Sequence, residues 1–283
     1  MMITENENIP LQGSHGRPVW TDVYVDESIE GSKPILLFCH GYKGFKDWGY
    51  WSQMGRRFAS EGFIFVKFGF AFNGCTIEDL TAFSDLQAFG ENTFSKEMDD
   101  LDTVLNWITG KAFAEDYNAD REVLLMGHSR GGAIAVLKTA EDRRISKLIT
   151  LAAVKDLGIR FPEGEQLQQW KERGVAYVEN SRTKQQMPHL YGFYEDFKRN
   201  EVRFTVSRAA REIAVPVLII HGTADSTVPV SHAQDLHHWI AGSELTLLEG
   251  SDHVFGGKHP WIDPTLPTAV EKIIARVRLF GGV

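Results

Sequence analysis

Short apolar runs rich in β-branched and aromatic residues alternate along this chain with longer segments of helical period, the pattern of βαβ units around a buried parallel sheet. Val19 to Val25 alternates apolar and polar positions and predicts a half-exposed edge strand. Ile35 to Cys39, Phe63 to Phe68, Glu122 to Met126, Leu148 to Ala152, Val215 to His221 and Leu245 to Leu248 predict buried strands. Between them, Ser95 to Ile108 carries Met98, Leu101, Val104, Leu105 and Ile108 on one stripe, a helix with one apolar face. Pro267 to Phe280 repeats the pattern with Val270, Ile273, Ile274 and Val277. The acids Glu97, Asp99, Asp100 and Asp102 fall in or near the first turns of the earlier helix, where the helix dipole favours negative charge. They are expected to form a solvated face rather than a metal site.

One stretch breaks this rhythm. From Lys155 to Ser207, 17 of 53 residues are charged, about a third, against 24% for the whole chain, and 8 are aromatic. Nothing in it resembles a buried strand, and it falls between two strong strand candidates. It is expected to be a helical insertion standing on the sheet edge as a lid, with residues 1–154 and 208–283 forming one catalytic domain. Its aromatics, among them Phe161, Trp170, Tyr191, Phe193 and Phe197, need something apolar to cover.

Composition narrows the classes. The 283 residues are 43% hydrophobic, which excludes disorder, and the charge is −8 from 30 basic and 38 acidic residues. That sign repels phosphate backbones and anionic lipid, so neither nucleic acid nor membrane is expected as a partner. No run approaches the ~18 apolar residues of a membrane span. The first residues carry acids where a signal peptide carries positive charge, so a cytoplasmic location is expected. The two cysteines, Cys39 and Cys75, make neither a disulfide framework nor a zinc spacing.

The candidate chemistry lies at strand ends. Gly127-His128-Ser129-Arg130-Gly131 follows one predicted strand and precedes the helical run Gly132 to Ala140, the strand-to-helix turn that exposes a serine hydroxyl. A hydroxyl needs a base, and the base an orienting acid. The strand Val215 to His221 runs into a loop with Asp225, and Leu245 to Leu248 into one with His253. Ser129, Asp225 and His253 thus come from three loops on one edge, where open α/β sheets gather ligands. Asp252 and Asp156 are weaker candidates for the acid, and His259 for the base. His40, His128 and His221 flank the motifs as packing or hydrogen-bonding groups. His232, His237 and His238 lack zinc spacing.

These features resemble a serine hydrolase of the α/β-hydrolase fold: a mostly parallel sheet, helices on both faces and a helical cap. GHSRGG, HGTADSTVPV and DHVFGGKHPW are similar to the branch holding prolyl-oligopeptidase-like, dienelactone-hydrolase-like and cinnamoyl-esterase-like proteins. The resemblance spans roughly Pro34 to the C-terminus apart from the insertion. Dienelactone hydrolases carry cysteine at the elbow where this chain has Ser129. The resemblance implies an oxyanion hole made by the backbone amides of Arg130 and Tyr42, the latter in His40-Gly41-Tyr42-Lys43-Gly44, and it implies no cofactor. It implies hydrolysis of a small-molecule carboxylic ester by a monomer or homodimer. An aminopeptidase-like peptidase or amidase is the alternative, with Glu179, Glu195 or Asp196 to hold an ammonium, and a non-catalytic binding protein stands behind it. Met187, Pro188, Tyr191 and Phe193 in the insertion, and Phe70, Phe72 and Asn73 after a strand, are candidates for the pocket.

Overall fold

A computed structural model describes residues 2–283. In chain order the elements are β1 (Ile3–Gln12), β2 (Pro18–Asp26), β3 (Lys33–Cys39), α1 (Trp51–Ser60), β4 (Ile64–Phe68), α2 (Leu86–Glu91), α3 (Phe94–Ile108), α4 (Lys111–Tyr117), β5 (Ala119–His128) and α5 (Arg130–Glu141). There follow β6 (Ile145–Leu151), α6 (Gly164–Arg173), β7 (Val175–Glu179), β8 (Gln186–Leu190), α7 (Gly192–Arg199), α8 (Val206–Glu212), β9 (Val217–Gly222), α9 (Ser231–Trp239), β10 (Glu244–Leu248) and α10 (Thr268–Gly281).

Eight strands form one sheet in the order β1-β2-β4-β3-β5-β6-β9-β10. The pairs from β4 to β10 are parallel, while β1–β2 and β2–β4 are antiparallel. Side chains alternate across it as the pleat requires. Leu36, Phe38, Leu124 and Met126 pack on one face with Trp51, Met54 and Phe58 of α1 and Val270, Ile273 and Val277 of α10. Ile35, Leu37, Val123 and Leu125 pack on the other with residues of α3, α5, α8 and α9. The predicted stripe of α3 is fully buried there, each side chain contributing about 1.5–3 kcal/mol of transfer free energy. The Thr93 hydroxyl caps this helix by accepting from the Lys96 amide at 3.2 Å.

Four expectations need correction. The strand at Val19–Val25 is interior, not an edge, because β1 pairs outside it; β1 escapes pattern reading since Glu5, Asn6 and Glu7 leave its middle polar and exposed. β10, expected to be buried, is the opposite edge and half-exposed, with Leu247 facing solvent. Only two of the four acids of α3 keep a solvated side: Asp99 and Asp102 are partly exposed, whereas Glu97 and Asp100 are each 1% exposed. Finally, 155–207 is not purely helical, since β7 and β8 make an antiparallel hairpin between α6 and α7. No helix among the described residues is long and apolar enough to cross a membrane.

Candidate active site

β5 ends at His128 and α5 begins at Arg130, so Ser129 makes the whole turn. It does so at φ 55° and ψ −120°, a left-handed conformation a non-glycine residue keeps only where its surroundings enforce it. The enforcement is visible: the Ser129 amide donates to the Leu151 carbonyl at 2.9 Å, and its carbonyl accepts from the Gly132 and Val154 amides at 3.0 and 3.2 Å. The flanking glycines are required by close approach. A Cβ on Gly127 would lie 2.3 Å from the Gly131 carbonyl oxygen, and one on Gly131 would lie 2.3 Å from that of His40. The turn therefore lifts Ser129 Oγ from the carboxyl edge of the sheet.

The loops after β9 and β10 meet the hydroxyl. His253 Nε2 lies 3.1 Å from Ser129 Oγ, and His253 Nδ1 lies 2.7 Å from Asp225 Oδ2. The other Asp225 oxygen accepts from the amides of Thr227 and Val228, both at 2.8 Å. Burial pushes the Asp225 carboxyl up, but hydrogen bonds from His221, His253 and the Val228 amide outweigh it and hold the group well below the usual carboxylate range. An anionic Asp225 fixes a proton on His253 Nδ1, which leaves Nε2 free to accept from the hydroxyl. His128 donates from Nε2 to the His253 carbonyl at 2.9 Å and so braces that loop; burial, then His253 nearby, lowers its pKa to about 3. His221 similarly donates to the Val228 carbonyl at 2.9 Å.

The other acid and base candidates are engaged elsewhere. Asp252 Oδ1 accepts from the Gly256 amide at 2.8 Å, shaping the turn beyond His253. Asp156 Oδ1 accepts from the Gly158 amide at 2.7 Å. His259 Nδ1 accepts from the Gly49 amide at 2.9 Å, tying its loop to the one after β3.

That loop after β3 lies against the serine, since a Cβ on Gly41 would stand 2.9 Å from Ser129 Cβ. A buried network anchors it: Lys46 Nζ meets Asp22 at 2.8 Å and Asp47 at 2.7 Å, while Lys67 Nζ meets Asp22 at 2.8 Å, Asp47, and Ser52 Oγ at 3.0 Å. His40 donates from Nδ1 to the Gly41 carbonyl at 3.0 Å, and burial lowers its pKa to about 4. The amides of Tyr42 and Arg130 have no partner among the described residues. The Arg130 side chain pairs with buried Glu97, which also accepts from Asn92 Nδ2 at 2.7 Å, and its guanidinium lies 4.6 Å from the Tyr42 ring centre. Glu97 is therefore the counter-ion of the residue following Ser129, a role local charge patterning does not reveal.

Residues 36–266 match the sequence profile of the alpha/beta hydrolase family. The chain belongs to that family. No curated protein matches its sequence. Among solved structures, Est1E from Butyrivibrio proteoclasticus is similar at TM-score 0.68 and 15% identity, covering 97% of each chain. The dienelactone hydrolase of Anabaena variabilis ATCC 29413 is similar at 0.61 and 14%, covering 99% of this chain and 97% of that one. A puromycin-hydrolyzing peptidase of Mycobacterium tuberculosis is similar at 0.66 and 18%, covering 98% of this chain and 39% of that one. At these identities the likeness is one of fold.

In this alpha/beta hydrolase a cavity of about 570 Å³ opens beside Ser129. Tyr42, Ser129 and Arg130 form its floor, and Phe161, Trp170, Ala176, Tyr177, Val178, His189 and Phe193 wall it from the segment 155–207. Of the residues expected in a pocket, Phe193 lines this cavity. Met187 packs instead with Phe45, Phe83 and Phe89, because its strand turns that face inward. Tyr191 packs on Trp170 at 5.7 Å between ring centres. Phe72 lies under the cationic groups of Lys96 and Arg17, 3.7 and 5.4 Å from its ring centre. Phe70 and Asn73 line a separate, smaller hollow, and Pro188 abuts Gly90. Phe94, Lys43, Arg160 and His189 also line the cavity; they sit at a helix start, in loops or in a five-residue strand, where periodicity gives no direction.

Proposed function

We propose that this alpha/beta hydrolase is a serine hydrolase that cleaves a carboxylic ester through an acyl-enzyme. The observation that carries the reading is the hydrogen-bonded line Ser129 Oγ, His253, Asp225, opening onto a largely apolar cavity. His253 takes the Ser129 proton as Oγ adds to the ester carbonyl, Asp225 holds the imidazole and stabilises its charged form, and the resulting oxyanion accepts from the Tyr42 and Arg130 amides. His253 then returns the proton to the departing alcohol, and water repeats the cycle to release the acid. The segment 155–207 serves as lid in this scheme, keeping water from the acyl group.

Two observations favour an ester over a peptide. None of the carboxylates expected to hold a substrate ammonium, Glu179, Glu195 and Asp196, lines the cavity: Glu179 pairs with Lys184 at 3.1 Å, and Asp196 accepts from the Ser95 hydroxyl at 2.6 Å. The charged groups that do line the cavity are three cations, Lys43, Arg130 and Arg160, and one carboxylate, Asp156. Est1E has been solved with ferulic acid bound, which makes hydroxycinnamoyl esters one arm of a substrate panel. The test is steady-state hydrolysis of p-nitrophenyl acyl esters by the wild type and by Ser129→Ala, with aminoacyl-naphthylamides alongside. Turnover of the esters that falls about 10⁵-fold or more in the variant is expected; persisting turnover, or preference for the amides, would overturn the assignment.

A further inference from the structure

The cavity beside Ser129 carries two cations that no carboxylate neutralises. Lys43 Nζ donates to the carbonyl of Glu179 at 3.3 Å and lies 5.2 Å from the Tyr42 ring centre, and the Arg160 guanidinium donates to the carbonyl of Thr227, also at 3.3 Å. Neither has an ion-pair partner among the described residues, although acids outnumber bases by 38 to 30 in the chain; Lys43 is half-buried and Arg160 exposed. The two lie close enough to act on each other. Burial first, then Arg160 and Arg182, lowers the Lys43 pKa from its ordinary value, so placing like charges together here costs stability. Lys43 also holds a left-handed φ of 53°, which a long side chain adopts only under constraint. The lone carboxylate on the cavity wall, Asp156, is occupied by the Gly158 amide and forms no ion pair with either cation. His189 adds a further polar group: its Nε2 meets Tyr42 Oη at 2.7 Å, and its buried Nδ1 has no partner.

Direction follows from what the cavity omits. Ser129, Tyr42 and Arg130 border it, but no residue of the His253 loop does. The leaving oxygen must face His253 Nε2 to receive its proton, so the group inside the cavity is the acyl part of the substrate.

We propose that this cavity selects acyl groups ending in an anion, and that the substrates are monoesters of dicarboxylic acids whose free carboxylate is met by Lys43 and Arg160. The apolar walls from Phe94, Phe161 and Phe193 then cover the methylene or aromatic spacer between ester and carboxylate. The inference rests on the ester-hydrolase reading above, and its test separates the two.

The comparison is mono-p-nitrophenyl adipate against p-nitrophenyl hexanoate, equal in acyl length and differing in one terminal carboxylate. The wild type is expected to favour the adipate by about tenfold or more in kcat/KM, the scale of one charged hydrogen bond. That ratio is expected to shrink as salt rises from 50 to 500 mM. Arg160→Gln and Lys43→Gln are each expected to lower the ratio several-fold, and Arg160→Glu to invert it. A merely structural role for either residue would lower both rates together and leave the ratio unchanged. Preference for the hexanoate, or an unchanged ratio in all three variants, overturns the anion site while the esterase reading stands. No turnover of either ester by wild type overturns both.

Discussion

Asp100 offers a sharp test of how charge is buried in this fold. It stands in α3 at 1% exposure, one oxygen accepting from the Ala71 amide at 2.8 Å and the other without a partner. Burial, together with the carboxylates of Glu97 and Asp99, raises its pKa from 3.8 to about 7, against the opposing Ala71 hydrogen bond and Lys96. For a carboxyl group raised in this way the folded chain binds more protons than the unfolded one between the two pKa values. Stability therefore falls as pH rises through that window and levels off above the folded value. Each unit within the window is worth about 1.4 kcal/mol, and moving from pH 5 to pH 8 crosses roughly two of them, so Asp100 costs the folded state about 3 kcal/mol over that interval. Asp100→Asn keeps an acceptor for Ala71 and abolishes the titration; any cost of its unpartnered amide is the same at both pH values. Urea unfolding followed by tryptophan fluorescence at pH 5 and pH 8 is expected to show the variant gaining about 2–3 kcal/mol on the wild type between them. Parallel behaviour of the two proteins across that range would refute the burial argument.

Three more perturbations probe the scaffold and the site. Lys67→Met removes a fully buried ammonium from between Asp22 and Asp47, leaving Lys46 as their sole counter-ion in that network, and is expected to cost about 3–5 kcal/mol in a denaturant melt. An unchanged midpoint would show that the network does not anchor the loop. Gly131→Ala sets a methyl group 2.3 Å from the His40 backbone carbonyl and is expected to lower stability by about 1–3 kcal/mol or more, measured the same way; a neutral result would contradict the close approach of α5 to that loop. Asp225→Asn is expected to reduce ester kcat by about 10⁴-fold with KM little changed, since it forfeits the His253 tautomer and not the pocket. A loss below tenfold would remove Asp225 from the scheme.

The interior of the sheet was legible because strands covered on both faces read as unbroken apolar runs, as at Ile35–Cys39 and Glu122–Met126. The ends of such runs also located Ser129, Asp225 and His253, which the structure joins in one hydrogen-bonded line. β1 was invisible because an exposed edge strand needs little apolar residue content, and β2 was consequently mistaken for the edge. Glu97, Asp100 and Lys67 were hidden for another reason: a charged residue has the same letter whether water or a buried partner satisfies it. The cavity was the least legible part. Whether Phe193 or Met187 faces Ser129 depends on how α7 and the β7–β8 hairpin seat on the sheet, and neither element is long enough for periodicity to choose a face.

The central claim is that the fold makes the Ser129 hydroxyl a nucleophile through His253. Incubation with a fluorophosphonate probe, followed by intact-protein mass and peptide mapping, tests this without knowledge of the substrate. The account predicts a single adduct on Ser129, formed at least about 100-fold more slowly in His253→Ala. A folded wild-type protein that takes up no probe, or carries it on another residue, would contradict it.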